Sequence, residues 1–289
     1  MRDHPFFRTV WAAVNLLLVA SLLLLVWGMV WEYSTRRYLK GFADAVVPLS
    51  ASTEQKVEAI LAWMAHGPAR RTATDTESLA LRDPQDTLNY AQLLQVCGSA
   101  TNAFVNLASS SGLPARRLLL LDLNRNSKHV VAEVLLEGRW VVADPSHHIL
   151  FRDAQGRTLT RAELQDPQML RQATRAVPGY PPEYTFDRTA HIRLSRIPYL
   201  GALARGTLDT VLPGWEEAVN WTLVLERRSF AAMLAALLLV CFGLLARLGT
   251  SWYGSKRLGI ARVRLREQLL RAGEVLFSSP REISEKQIQ

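Results

Sequence analysis

Cysteine is nearly absent: the chain has 289 residues and two cysteines, Cys97 and Cys241. That excludes a disulfide-framed scaffold and a thiolate-rich metal cluster. Nor can the two pair with each other, because Cys241 lies in a long apolar run that Cys97 would have to enter. Charge is missing between Arg8 and Glu32 and again between Arg228 and Arg247. Runs of that length and polarity exclude an ordinary surface helix. Internal repeats and low-complexity tracts are lacking as well, which excludes solenoid and collagen-like architectures. Acidic residues are outnumbered, 26 against 34 basic, for a net charge of +8. The stretch from Arg247 onward holds nine basic and four acidic residues. Most of the excess therefore sits beside an apolar run, where it reads as contact with anionic lipid headgroups or as a topology signal, not as a nucleic-acid surface.

The two uncharged runs predict transmembrane helices at 9–31 and 229–249, the first an uncleaved anchor. Trp11, Trp27, Trp31 and Tyr33 suit the interfaces of the first, Trp252 and Tyr253 the far end of the second. Two spans put both termini on one side. Arg247, Lys256, Arg257, Arg262, Arg264 and Arg266 follow the second span, against Arg227 and Arg228 before it, so the positive-inside rule places the termini in the cytoplasm. Arg36, Arg37 and Lys40 point the other way, but long translocated segments count little in that rule. The expected organisation is a cytoplasmic N-terminus at 1–8, an extracytoplasmic domain at 32–196, a juxtamembrane segment at 197–228 and a basic cytoplasmic tail at 250–289. In a Gram-negative bacterium this means an inner-membrane protein whose domain faces the periplasm. Leu200, Leu203, Leu208, Val211, Leu212 and Trp215 alternate with Arg205, Asp209 and Glu216, an amphipathic pattern that fits a bilayer surface or, equally, a core helix of the domain.

Within the domain, Cys97 opens a segment in which Ala100, Ala103, Phe104, Leu107 and Ala108 recur at helical spacing until Gly112 and Pro114 stop it. A thiol in the first turn of a helix faces unpaired N–H groups and the positive end of the dipole, and both favour the thiolate. A cysteine there also reads as a small buried apolar residue. His129–Leu136 and Arg139–Asp144 are β-rich runs joined by Glu137-Gly138, the signature of a tight hairpin. With Leu136 opposite Arg139, Asp144 falls opposite Val131, on the face that also carries His129. A bulge in the turn would separate the two side chains. Aspartate and histidine on a common face are what a thiol's general base and its orienting group require.

These residues resemble the transglutaminase-like superfamily of papain-type fold. The resemblance covers roughly positions 85 to 150: Cys97 at a helix start; Gly112-Leu113-Pro114-Ala115-Arg116 after that helix; His129 with Glu133 on one strand; and Gly138-Arg139-Trp140-Val141-Val142-Ala143-Asp144-Pro145 on the next. It departs from the family pattern at Gln95, where glycine is usual, and at Val131, where an aromatic is usual. The resemblance implies an α+β fold in which a helix bearing the cysteine packs on an antiparallel sheet bearing histidine and aspartate. It also implies that Cys97 is the nucleophile, His129 its base and Asp144 the orienting group. Gln92 and Gln95 are candidates to donate an N–H to the oxyanion beside the backbone N–H of Cys97.

The expected function is therefore amide hydrolysis or transamidation through a cysteine thioester, on a peptide, protein or glycan-linked amide. The alternative is a catalytically silent scaffold or binding module in a cell-envelope or exopolysaccharide assembly, with membrane partners. No cofactor is expected, and no metal: His147 and His148 have no thiol or second acidic cluster at ligand spacing. Elsewhere, Ser52-Thr53-Glu54-Gln55 predicts a capped helix ending at Gly67-Pro68, Asp86–Val96 a short helix leading to Cys97, and Arg161–Ala173 a surface helix. Residues 69–84 read as a polar loop at the cleft rim.

Overall fold

A computed structural model of the chain describes residues 5–68, 71–72, 83–192, 201–215 and 221–259. Most of the rim loop at 69–84 therefore falls outside the described residues, as do residues 197–200 and 216–220 of the juxtamembrane segment and the basic tail beyond residue 259. The chain divides into two compact units, one of residues 1–26 and 235–289, the other Trp27–Leu234.

The larger unit is built on a five-stranded antiparallel sheet of β1 (Ala115–Leu121), β2 (Ser127–Leu136), β3 (Arg139–Asp144), β4 (Ile149–Leu150) and β5 (Thr189–Ala190), in the order β4-β3-β2-β1-β5. Arg139 pairs with Leu136 and Ala143 with Ala132, so the β2–β3 register is the one the hairpin turn predicts. Glu137 and Gly138, both at positive φ (50° and 80°), close it as a tight turn without a bulge. A bulge lies instead on the other side of β2. Leu120 pairs with His129 but Leu121 with Ser127, leaving Lys128 as the extra residue.

Helices cover one face of the sheet. In α2 (Thr53–His66), Ser52 forms the expected capping box with Gln55, and Val57, Ile60, Leu61 and Met64 are buried. α5 (Cys97–Ser110) buries every residue from Ser99 to Ala108. Both pack with Ala132, Val134, Leu136, Val141 and Ala143 in one core, which also takes Leu39, Ala43 and Val47. The opposite face presents Leu118, Leu120, Val131 and Val142 to Phe151, Leu159, Leu164 and Phe186. On that second face three separated pieces of the sequence motif meet: buried Arg116 donates to Glu133 Oε2 at 2.8 Å and stacks over the Trp140 ring at 4.1 Å. An ion pair kept from water needs such close partners to offset its desolvation.

Two expectations about short helices are corrected. The segment leading to Cys97 is two helices, α3 (Pro84–Asn89) and α4 (Ala91–Gln95), because Tyr90 is extended and bridges to Arg71. The expected helix from Arg161 is a 3₁₀ turn, Glu163–Gln165, followed by α6 (Pro167–Thr174), since Pro167 has no N–H for a preceding turn and Asp166 caps a new start.

Two helices, α1 (Pro5–Val46) and one spanning Arg228–Arg257, are long and apolar enough to cross a membrane. α1 does not end with the apolar run but continues as helix to Val46. In the smaller unit a Cβ at Gly243 would lie 3.2 Å from Leu18 Cδ1 and 3.5 Å from Leu18 Cα, so the two helices pass close together at this glycine. Within the larger unit, Glu32 is buried between Arg36 (2.7 Å), Arg227 (3.2 Å) and Ser229 (2.8 Å). The juxtamembrane stretch contains α7 (Gly201–Val211) and α8 (Trp221–Glu226), and α8 is tied to the sheet by Thr222, whose hydroxyl accepts from Arg117 N at 2.9 Å.

Candidate active site

Cys97 begins α5, whose N-cap residue, Val96, supplies no side-chain hydrogen bond. The first-turn N–H groups therefore remain open toward the thiol at the positive end of the dipole. The thiol is half-buried against Leu119, Leu121, Val130 and Ala190. On its exposed side the next residue, Gly98, leaves room, since a Cβ there would meet nothing within 4 Å. One turn further on, the Thr101 hydroxyl donates to Val130 O at 2.9 Å and pins the helix to the strand bearing His129.

His129 reaches the thiol from the sheet. Its Nε2 lies 2.7 Å from Asp144 Oδ2, with both side chains buried. Its Nδ1 is buried and has no hydrogen-bond partner among the described residues, and the imidazole interacts with the Cys97 thiol. A neutral His129 must hold its proton on Nε2 to donate to the carboxylate, which leaves the lone pair on Nδ1. The bulge at Lys128 immediately precedes this histidine, a position where an extra residue re-aims the side chain that follows.

Electrostatics favour a thiolate–imidazolium pair. Contact with His129 is the main cause holding the Cys97 thiol below its ordinary range; burial opposes it, and the N–H groups of Val130 and Gly98 assist. Burial alone would depress His129, but the hydrogen bonds and charges of Asp144 and Cys97 outweigh it and push the imidazole up to about 9. Burial would likewise raise Asp144, yet hydrogen bonds from His129, His147 and Ser146 hold its carboxyl well below the usual range.

Asp144 is fully enclosed. Oδ2 accepts from His129 Nε2, His147 Nδ1 (3.1 Å) and the Tyr180 hydroxyl (3.1 Å); Oδ1 accepts from Ser146 N (3.1 Å), Ser146 Oγ (2.7 Å) and His147 N (3.3 Å). Tyr184 lies on the other side of the histidine, its ring parallel to the imidazole at 4.0 Å. Sequence reasoning missed Tyr180 and Tyr184, which belong to an irregular, proline-rich stretch whose periodicity signals nothing. It weighed His147 only as a metal ligand, and set it aside for want of a thiol or second acidic cluster at ligand spacing. The dipeptide Asp144-Pro145, which forces a turn and so returns the chain over the carboxylate, was the available signal.

His129, Asp144 and His147 bring ligand atoms within 4.8 Å of one another, a set the linear spacing hides. The Asp144 oxygens are already saturated by the donors around them, so the arrangement is a complete hydrogen-bond network in its own right. Of the two glutamines, Gln95 is exposed, whereas Gln92 is half-buried with its Oε1 lacking any partner among the described residues.

The model of the transglutaminase-like superfamily matches residues 40–145. Over those residues the chain is similar to the transglutaminase-like superfamily. No curated protein and no solved structure matches the chain. The transglutaminase-like segment includes Cys97, His129 and Asp144 and ends just past the aspartate.

Proposed function

We propose that the chain is a membrane-anchored, cysteine-dependent acyl-transfer enzyme. The observation that carries this reading is His129 standing between two groups: its Nε2 is 2.7 Å from Asp144 Oδ2, and its imidazole lowers the pKa of the Cys97 thiol. In the first step Cys97 Sγ attacks an amide carbonyl, its proton having passed to His129 Nδ1. The tetrahedral oxyanion is met by the N–H of Cys97 and by the Gln92 side-chain amide, with Gln95 too exposed to serve as well. Its collapse breaks the C–N bond, His129 returns the proton to the departing amine, and a thioester remains. Water or an amine then attacks the thioester, giving up a proton to His129 and restoring the thiol. Asp144 keeps the imidazole in the competent tautomer throughout. Substrates are peptide, protein or glycan-linked amides.

The domain at 32–196 and the juxtamembrane segment at 197–228 lie on the periplasmic side of an inner membrane, and residues 1–8 and 250–289 on the cytoplasmic side, with spans at 9–31 and 229–249. Support comes from the two apolar helices and from the basic residues after the second. An unpaired, low-pKa thiol fits an oxidising compartment only when the thiol is used. The full-length protein in membranes, treated with a thiol-directed electrophile, tests the chemistry. Selective alkylation of Cys97 at neutral pH, abolished in His129→Ala, is expected. Alkylation no faster than that of an ordinary exposed thiol would point instead to a silent scaffold or binding module of an envelope or exopolysaccharide assembly.

A further inference from the structure

The wall around His129 and Asp144 does not come from the matched family core. That match stops at residue 145, whereas Tyr180 and Tyr184 arrive from the chain beyond it, after α6 and a turn of prolines. The segment is anchored firmly. Phe186, fully buried, packs edge-on to Phe151 at 5.8 Å, and Tyr180 meets the same Phe151 ring at 6.2 Å. Tyr180 and Tyr184 brace each other edge to face at 5.8 Å, and His147 leans on Tyr180 at 4.8 Å. The result is an aromatic surface in which the Tyr184 ring lies flat on the imidazole with an interplanar angle of 6°.

A π face at that distance attracts a cation more than a neutral ring. It also obstructs the rotation that would exchange Nδ1 and Nε2 between sulfur and carboxylate. We propose that Tyr184 is a positioning residue of the active site, its ring face holding His129 in register and favouring the imidazolium that accompanies the Cys97 thiolate. The inference rests on the reading of Cys97 and His129 as nucleophile and base, and adds that the chain beyond the family core completes that site. The ring face, not the phenolic hydroxyl, performs the task, since it is the ring that stacks on His129, while burial and nearby negative groups keep the hydroxyl neutral.

The test is the rate of iodoacetamide labelling of Cys97 against pH in the full-length protein in detergent, resolved by site with mass spectrometry. Tyr184→Phe is expected to keep the wild-type profile. Tyr184→Leu is expected to move the thiolate titration to higher pH and to slow labelling at neutral pH roughly tenfold, as loss of a buried cation–π contact implies. If the leucine variant melts without cooperativity, Tyr184→Met is read in the same way. An unchanged profile in the aliphatic variant, or an equal shift in Tyr184→Phe, overturns the proposal. His129→Ala separates the two levels: if it leaves labelling untouched, the nucleophile–base reading itself fails. If it slows labelling while the aliphatic Tyr184 variant does not, only the role of Tyr184 is lost.

Discussion

His129 and Asp144, 15 positions apart in the chain, share a 2.7 Å hydrogen bond at a site closed to solvent. That bond assigns Nε2 to the carboxylate, and measurable consequences follow from it.

Asp144→Asn keeps an acceptor for Nε2–H but removes the charge that supports the imidazolium. Alkylation of Cys97 at neutral pH should slow by roughly tenfold or more, since one pKa unit of lost support is a tenfold change in thiolate fraction. A rate indistinguishable from wild type would show that the carboxylate charge plays no part.

The same pair makes stability depend on pH. His129 is raised from 6.5 to about 9 in the folded protein, so its contribution is complete below about pH 6.5 and disappears as pH rises through about 9. Asp144 is lowered from 3.8, so its contribution is present above that value and fades as the solution is acidified below it. Melting temperatures of wild type and His129→Gln should therefore differ most between about pH 4 and 6.5 and converge near pH 9. A difference that grows with alkalinity would contradict the sign.

Away from the site, Glu133→Gln strands the buried guanidinium of Arg116 and should cost about 3–5 kcal/mol. Replacing both partners, Arg116→Met with Glu133→Met, should recover most of that loss, because no uncompensated charge remains. Denaturant titration of the single and double variants reads the difference. If the double variant is as unstable as the single, the ion pair is doing more than satisfying itself.

The hairpin turn offers a gain. Glu137 holds φ at 50°, a conformation asparagine adopts at lower cost, so Glu137→Asn should stabilise by roughly 0.5–1 kcal/mol. Alkylation of Cys97 should not change, since the β2–β3 register is preserved. A thermal shift assay alongside the labelling assay checks both.

Local patterning made much of this architecture legible. The capping box at Ser52, the helix starting at Cys97, the turn at Glu137-Gly138 and both apolar helices follow from interactions within a few residues, or from hydrophobic period alone. The register of β2 on β3 was readable too, because a two-residue loop leaves one pairing. Helix continuity was less so. Tyr90 breaks the run before Cys97 by pairing with Arg71, a partner no window around residue 90 contains.

At the site, the order of Cys97, His129 and Asp144 and the shared face of the latter two could be read from the chain. The bulge at Lys128 could not, nor the donors that saturate Asp144, nor the ring that lies on His129. Identity and spacing carry information over one turn of helix or one hairpin, where geometry is nearly fixed. Tyr180 and Tyr184 reach the histidine only after the chain has folded around the Phe151–Phe186 core, and contacts between such distant segments are settled by packing, to which no local pattern corresponds.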